Sequence, residues 1–494
     1  MSKYVMTYDC GTTSLKAALI DLEGTVVAEA NETYALRQPQ PGWAEQDPAE
    51  LWEAVCRASR RLMSRSAAED VVACVFVAPW KNIIPVDADG VVLHDSIIWL
   101  DSRAIEQAAR LNEAVGEFVG TGQEYWPRLL WLKENEPEIW QRADKIIGLN
   151  TYLKWRATGR FVTEPSDDFI RSPKPEVADL YIRIIKAAGL VEDLGKFPEQ
   201  TRSTDIVGSL TAAAARDLGL REGVPVLGGF GDLPAITAGV GRSGFKDVHI
   251  YFGTSSWLVS VVPDRSSLDA PLNFSFDADR EGAVFALQTG CLAYDWATEQ
   301  LYRAEKGVLG DSLHDFLAKE VASVEPGSLD LVATHWLAGE LPPLSKNAKG
   351  IFLNLTTSHD RRHMLRAVME SICYTHRMNL ERFSRSTGAQ LESIRVVGGG
   401  ATSGVWMQML ADVLQMRIEV PRAPRYTGAL GAYYCAMIGL GQIADYDSIV
   451  DEVPIERVFA PNPENEAVYD RLYDVYRQLS PALRDVFDQL NGKY

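Results

Sequence analysis

Asp9-Cys10-Gly11-Thr12-Thr13-Ser14 stands between the apolar stretches Tyr4–Tyr8 and Leu15–Ile20. About half a chain later, Tyr251-Phe252-Gly253-Thr254-Ser255-Ser256 stands between β-rich segments. A glycine followed by hydroxyl residues between two strands suits a tight hairpin whose backbone N–H groups approach an anion while the hydroxyls add donors. Most such turns only reverse the chain. Two of them in half-chain register predict a duplicated fold with a phosphate held between the halves.

Working outward, Tyr4–Tyr8, Leu15–Asp21 and Thr25–Ala30 read as three antiparallel strands turning at Gly11 and Glu23-Gly24. Asp47-Pro48 opens a helix, with the aspartate as cap and the proline in its first turn. Val71–Val77 follows as a buried strand, and helices are expected around Ala104–Val115 and Arg128–Glu134. The second half repeats the scheme: Val248–Phe252 and Trp257–Val262 flank the second turn. Helices are expected at His363–Phe383 and Val405–Leu414, and the strand Ile394–Val397 runs into Gly398-Gly399-Gly400. A domain boundary is expected in the Gly/Ser-rich stretch Gly239–Lys246, and an amphipathic helix over Glu464–Leu490.

With 494 residues the chain is long enough for two or three domains. Its formal net charge of −18 argues against nucleic acid or an anionic membrane as the main partner. A polyanionic ligand must then be met by backbone amides, a few cations and a metal ion. No signal-peptide pattern and no membrane-length apolar run is read. The six cysteines are scattered singly, which fits reduced thiols of a cytoplasmic protein better than a disulfide or zinc framework. His359 and His363 have helix-face spacing, but their polar surroundings suit a solvated helix start.

Three places carry candidate chemistry. Asp9 ends an apolar strand, where a carboxylate needs a task or a partner; it reads either as a water-linked ligand for a nucleotide's magnesium or as a turn-forming residue. Asp232 follows Val226-Leu227-Gly228-Gly229-Phe230-Gly231, at a strand end where open α/β sheets bind ligands. A carboxylate there can accept a proton from an attacking hydroxyl or cap the helix after Pro234, and the two readings are compatible. Gly398-Gly399-Gly400-Ala401 lies between strand and helix and lets a flat ring or phosphate approach the backbone, though such turns are also common without a ligand. No G-x-x-x-x-G-K-[ST], no complete G-x-G-x-x-G after a first strand and no G-x-S-x-G occurs, which removes P-loop enzymes and nucleophile-elbow hydrolases and disfavours dinucleotide dehydrogenases.

Over nearly its whole length the chain resembles the FGGY family of carbohydrate kinases, within the sugar kinase, actin and heat-shock chaperone ATPase superfamily. The resemblance runs through Asp9–Lys16, Gly42-Trp43-Ala44-Glu45-Gln46-Asp47-Pro48 with Trp52, Trp99-Leu100-Asp101-Ser102-Arg103, Leu130-Trp131-Leu132-Lys133 and Gly229-Phe230-Gly231-Asp232. It continues in Gly253-Thr254-Ser255, Gly339-Glu340, Gly398–Ser403 with Trp406, Gln408 and Ala411-Asp412, and Gly428-Ala429-Leu430-Gly431-Ala432. It implies an α/β fold of two ribonuclease-H-like domains of the actin/hexokinase ATPase type, flanking a catalytic cleft. Residues 1–244 would bind the acceptor and carry the catalytic base and first phosphate loop, and residues 245–494 would bind ATP and end in a helix.

On the same resemblance, Asp232 matches the catalytic base and Asp9 the magnesium-linked carboxylate. Thr12, Thr13, Ser14 and Lys16, with Gly253, Thr254 and Ser255, match phosphate loops, and Gly399, Gly400, Ala401 and Gly404 match the adenosine pocket. The implied activity is ATP- and magnesium-dependent phosphorylation of a small sugar, ketose or polyol, nearest to xylulose kinases. A glycerol, tetritol, sugar-acid or signalling-furanone kinase, or a regulator without transfer, stands as the alternative. Expected partners are the small acceptor, with a homodimer as an option, and neither nucleic acid nor membrane.

The departures fall on the acceptor side. Pro79-Trp80-Lys81-Asn82 stands where xylulose kinases have Gln-Met-His-Gly and where glycerol kinases place Arg-Glu. Leu233 and Pro234 follow the base where Asn or Gln is usual, the stretch between Gly122 and Pro127 is short, and Leu341 replaces an Arg. Trp80, Lys81 and Leu233 are therefore the expected acceptor contacts beside Asp232: Trp80 offers a stacking face, and Lys81 either touches an acceptor oxygen or points to solvent.

Overall fold

The structure, a computed structural model, describes residues 3–64, 68–245, 247–263, 268, 270, 272–341 and 344–492. Two compact units emerge. The first comprises Met1–Gly239, Ser275–Arg280 and Gly428–Ile449, and the second Val240–Phe274, Glu281–Thr427 and Val450–Tyr494.

The first unit is organised on a mixed sheet. Its strands lie in the order Ile206–Ser209, Pro225–Leu227, Val71–Ala78, Tyr4–Cys10, Ser14–Asp21 and Val26–Thr33, and Phe230–Gly231 pairs off Val71–Ala78. Tyr4–Cys10 is antiparallel to Ser14–Asp21 and parallel to Val71–Ala78. The predicted strands are present, each a residue or more longer at one end. The helix Pro48–Met63 starts where the sequence indicates, its Asp47 cap accepting from the Ala49 N–H. It buries Leu51, Trp52, Val55 and Leu62 against the sheet core built on Met6, Tyr8, Leu15 and Phe76. A second core, around Trp126, Leu129, Trp131 and Ile184, underlies the helices of residues 105–142 and 175–187.

The second unit repeats the plan. Its sheet runs Leu272–Ser275, Glu281–Leu287, Ser256–Val262, Val248–Phe252, Ser393–Val397, Arg417–Pro421 and Ile455–Phe459. Val248–Phe252 is again antiparallel to its hairpin partner and parallel to the strand on its other side. The long helices Arg361–Thr387 and Glu466–Asn491 are present and share a large core of this unit. Asp360 and His363 cap the former reciprocally, so the histidine pair belongs to a helix start.

The division differs from the expected 244/245 boundary. It falls at Gly239/Val240, within the predicted stretch Gly239–Lys246, whose last residue lies outside the described residues. More importantly, the late segment Gly428–Ile449 belongs to the first unit. Packing explains this. A Cβ on Gly431 would fall 1.8 Å from the Ala235 carbonyl, so glycine lets the helix Thr427–Gly439 lie directly on the helix Asp232–Val240. Tyr433 donates to the Leu22 carbonyl at 2.8 Å, and Ser203 and Tyr446 hydroxyls pair at 2.8 Å. Among the described residues, no helix is long and apolar enough to cross a membrane.

Candidate functional site

In the first unit the strand register brings the candidate residues to one sheet edge. Asp9 pairs with Val77 and Gly231 with Ala78, all in parallel ladders. Asp9, Pro79 and Asp232 therefore leave the sheet together at its carboxyl end, the edge at which such sheets bind ligands. Asp232 is the first residue of its helix, and its Oδ1 accepts the Leu233 N–H at 3.0 Å, so the candidate base and the helix start coincide. Burial, with the Asp9 charge adding to it, pushes the Asp232 carboxyl up to about 6. Burial also raises Asp9, against the pull of Lys16 directly opposite on the hairpin.

The turn itself is closed by a Gly11 N–H bond to the Ser14 carbonyl at 2.8 Å, while Thr13 is exposed. Gln46 donates to the Thr12 carbonyl at 2.6 Å, and the Trp99 indole to the Thr12 hydroxyl at 3.3 Å. A Cβ on Gly428 would lie 2.6 Å from Asp9 Oδ2, so the returning segment closes against this carboxylate. Among the described residues no group of three or more metal-ligating side chains occurs. The half-buried Asp9 carboxylate at the candidate phosphate turn nevertheless fits magnesium, which keeps several waters and uses one or two carboxylates plus substrate phosphates.

On the expected acceptor side, the structure bears on how Lys81 is placed. Lys81 neither points to solvent nor stands free: its ammonium lies 2.6 Å from Glu124 Oε2 and 4.3 Å over the Trp80 ring. Its backbone is left-handed, φ 62°, held by Asp167 Oδ1 on its N–H at 2.9 Å and by Arg128 on its carbonyl at 2.8 Å. Trp80 is half-buried beside Phe169, at 6.1 Å. Leu233 is half-buried beside Asp232.

Residues with no local sequence signal hold this arrangement. Arg128 is fully buried, which lowers its pKa to about 10, and it donates to carbonyls of Lys81, Ile97, Ile98, Gln123 and Glu124. Ser166 receives the Gly231 N–H at 2.7 Å and is itself fixed by Glu164, so one short loop braces both the Asp232 turn, through Ser166, and the Lys81 turn, through Asp167. Burial, reinforced by Glu164, raises Asp167 well above the carboxylate range, and its Oδ2 has no hydrogen-bond partner among the described residues.

The second unit assembles a glycine-rich edge. Thr254 and Ser255 are exposed in the hairpin turn. Tyr251 pairs with Val397, which brings Gly398-Gly399-Gly400 beside that turn. Gly398 takes φ 95°, with room for no Cβ: one would lie 2.4 Å from the Phe252 carbonyl. Gly399 is exposed and Gly400 half-buried. The helix Cys291–Leu301 docks its first turn here, the Cys291 N–H donating to the Gly253 carbonyl at 2.8 Å and the Gly290 and Leu292 N–H groups to Thr254. This helix start was not singled out in the sequence, although its Gly-Cys step after a strand is the available signal. Ala401 is completely buried with its carbonyl held by Arg457, so it shapes the turn from below. Gly404 begins the next helix near Phe459.

Comparison with known proteins places this arrangement. Residues 4–239 match the N-terminal domain of the FGGY family of carbohydrate kinases, and residues 251–440 its C-terminal domain. The chain is 30% identical over 502 residues to an L-xylulose/3-keto-L-gulonate kinase of Escherichia coli, covering 98% of both chains. It is 28% identical over 496 residues to a xylulose kinase of Staphylococcus epidermidis, covering 97% of each. The fold is that of a solved xylulose kinase from Lactobacillus acidophilus, at TM-score 0.84 and 24% identity, covering 99% of this chain and 100% of that one. The α/β two-unit architecture is therefore the actin/hexokinase-like ATPase fold, and the chain belongs to the FGGY family of carbohydrate kinases, enzymes that phosphorylate a sugar at the expense of ATP.

Proposed function

We propose that the protein phosphorylates a hydroxyl of a small uncharged ketose or polyol, in the manner of xylulose kinases, with Asp232 as general base. The observation that carries this reading is a carboxyl held near 6 at the carboxyl edge of the first sheet, beside Asp9. A base of that strength is ionised at neutral pH yet basic enough to accept a hydroxyl proton as the bond forms.

The acceptor hydroxyl donates to the Asp232 carboxylate, and its oxygen attacks the γ-phosphorus of ATP in line. The new O–P bond forms as the bond to the β-phosphate oxygen breaks; ADP leaves and the proton stays on Asp232 until solvent removes it. Such transfers need positioning and charge neutralisation more than covalent chemistry. Thr12, Thr13, Ser14 and Lys16 on the first turn, and Gly253, Thr254 and Ser255 on the second, are assigned to the phosphates. Gly399 and Gly400 are assigned to the adenosine, with Ala401 and Gly404 shaping their turn. Asp9 would hold magnesium through water, and the ion would neutralise phosphate charge.

Xylulose and 3-keto-L-gulonate are what the named relatives act on. Pairing of Lys81 with Glu124 supports the neutral class over the sugar acid. Acceptor-dependent ADP release across pentoses, ketoses, polyols and sugar acids tests the reading, with magnesium removed by EDTA in parallel. The expected result is turnover with a ketose or polyol, abolished by EDTA and by Asp232→Asn. Turnover by Asp232→Asn at the wild-type rate overturns the assignment of the base.

A further inference from the structure

Lys81 and Glu124 form an ion pair at the same edge as Asp232, and the phosphoryl transfer just described uses neither charge. Lys81 lies three residues beyond Ala78, whose ladder partner Gly231 immediately precedes the base. Both side chains reach the surface, at 14% and 27% exposure, while their backbones are locked. Arg128 donates to the carbonyls of both residues, at 2.8 Å for Lys81 and 3.3 Å for Glu124, and Asp167 holds the Lys81 N–H. Glu124 precedes the helix Tyr125–Asn135, yet its carboxylate caps none of that helix's N–H groups. A Cβ on Gly120 would lie 2.1 Å from the Glu124 Cγ, so glycine makes room for the chain that turns toward Lys81. Most surface ion pairs between mobile side chains contribute little. Here the backbones are fixed in advance and Trp80 lies under the ammonium, which removes much of the ordering cost.

The geometry points to Glu124 as the residue that sets the charge of the accepted sugar, an inference that rests on the kinase reading of Asp232. Its carboxylate neutralises Lys81 and accepts hydroxyl hydrogens, while the ammonium donates to acceptor oxygens. Together they match an uncharged polyhydroxy chain lying along Trp80. A carboxylate-bearing sugar meets Glu124 as a like charge, and must either displace it from Lys81 or remain unpaired. Discrimination by such a repulsive element is a common basis of specificity.

The test compares kcat/KM for D-gluconate with that for the best neutral acceptor of the panel, in wild type, Glu124→Gln and the double variant Lys81→Gln/Glu124→Gln. Glu124→Gln frees the Lys81 charge, and the acid-to-neutral ratio is expected to rise about tenfold or more. The double variant is expected to return the ratio toward wild type, because the cation that attracts the acid is gone. A ratio unchanged in Glu124→Gln, with both substrates falling together, overturns the inference and leaves Glu124 a structural residue. A wild-type preference for the acid overturns it equally. Asp232→Asn is run beside these variants: if it retains turnover, the kinase reading of the site has failed rather than the role of Glu124.

Discussion

Asp9 and Tyr251 occupy the same place in the two units, two residues before the turn glycine on the strand that begins the hairpin. Asp9 faces Lys16 across the ladder, whereas Tyr251 faces and stacks on Trp257, ring centres 4.6 Å apart. The neighbouring parallel strand differs in the same sense. In the first unit it runs into Pro79-Trp80-Lys81-Asn82, and in the second into three glycines. Six strands share order and direction in the two sheets, but the outer antiparallel strand precedes its neighbour in the first unit's chain order and follows it in the second's, which also carries the further edge strand Leu272–Ser275. The sheet thus supplies only an edge. Charged side chains stand at one edge, which suits the proposed proton transfer, and bare backbone at the other, which suits the proposed contacts to phosphate and a flat ring.

The sharpest way to break this comparison is to show that the two edges do the same work. Asp232→Asn is expected to lower kcat about 10³-fold or more with little change in ATP affinity, since it removes the base alone. Thr254→Ala and Ser255→Ala remove single hydroxyl donors. They are expected to raise KM for ATP by about tenfold with kcat nearly kept. Steady-state kinetics with ATP binding by calorimetry separate the two patterns, and a loss of kcat of equal size in both units would erase the distinction. The loops after the parallel strands differ in what their backbones tolerate. Gly398→Ala puts a Cβ into a positive φ and against the Phe252 carbonyl, at an expected cost of about 3 kcal/mol in urea unfolding. Lys81 already sits at φ 62° without being glycine, so Lys81→Gly is expected to change stability by less than about 1 kcal/mol.

How far these features were legible depends on the range of the interactions that make them. Both hairpins, the Asp47 cap and the Asp232 strand end were readable because alternation, proline and glycine act within a few residues. The placement of Gly428–Ile449 was not. It depends on Gly431 meeting the Ala235 carbonyl about two hundred residues away, and no local pattern encodes that contact. The acceptor departure at Trp80-Lys81 was visible, but the partner of Lys81 was not. Glu124 looks like an ordinary acidic residue before a helix, and only the fold turns its carboxylate away from the helix N-terminus. Arg128 was hidden for a similar reason: in sequence it is a polar residue in the apolar first part of a helix, and its five carbonyl partners come from three separate segments.

The smallest expected effect bears on why the first edge is charged at all. A carboxyl raised in the folded state holds its proton more tightly there than in the unfolded chain. Between the ordinary carboxylate value and about 6, the folded protein therefore binds more protons, and the stability Asp232 contributes falls as pH rises. Above about 6 the full cost of keeping the charged base half-buried beside Asp9 is present. Asp232→Asn removes that charge, so thermal unfolding of the variant at pH 7.5 is expected to show a gain of about 1–2 kcal/mol over wild type. The gain should shrink as pH falls through 6 and vanish near 4, where the wild-type carboxyl is also neutral. The acid limb of kcat should lie near the same value of about 6. Thr254→Ala, on the uncharged edge, should show no such pH-dependent gain. A variant that loses turnover while gaining stability only above pH 6 would identify Asp232 as a group held charged for the reaction at the expense of the fold.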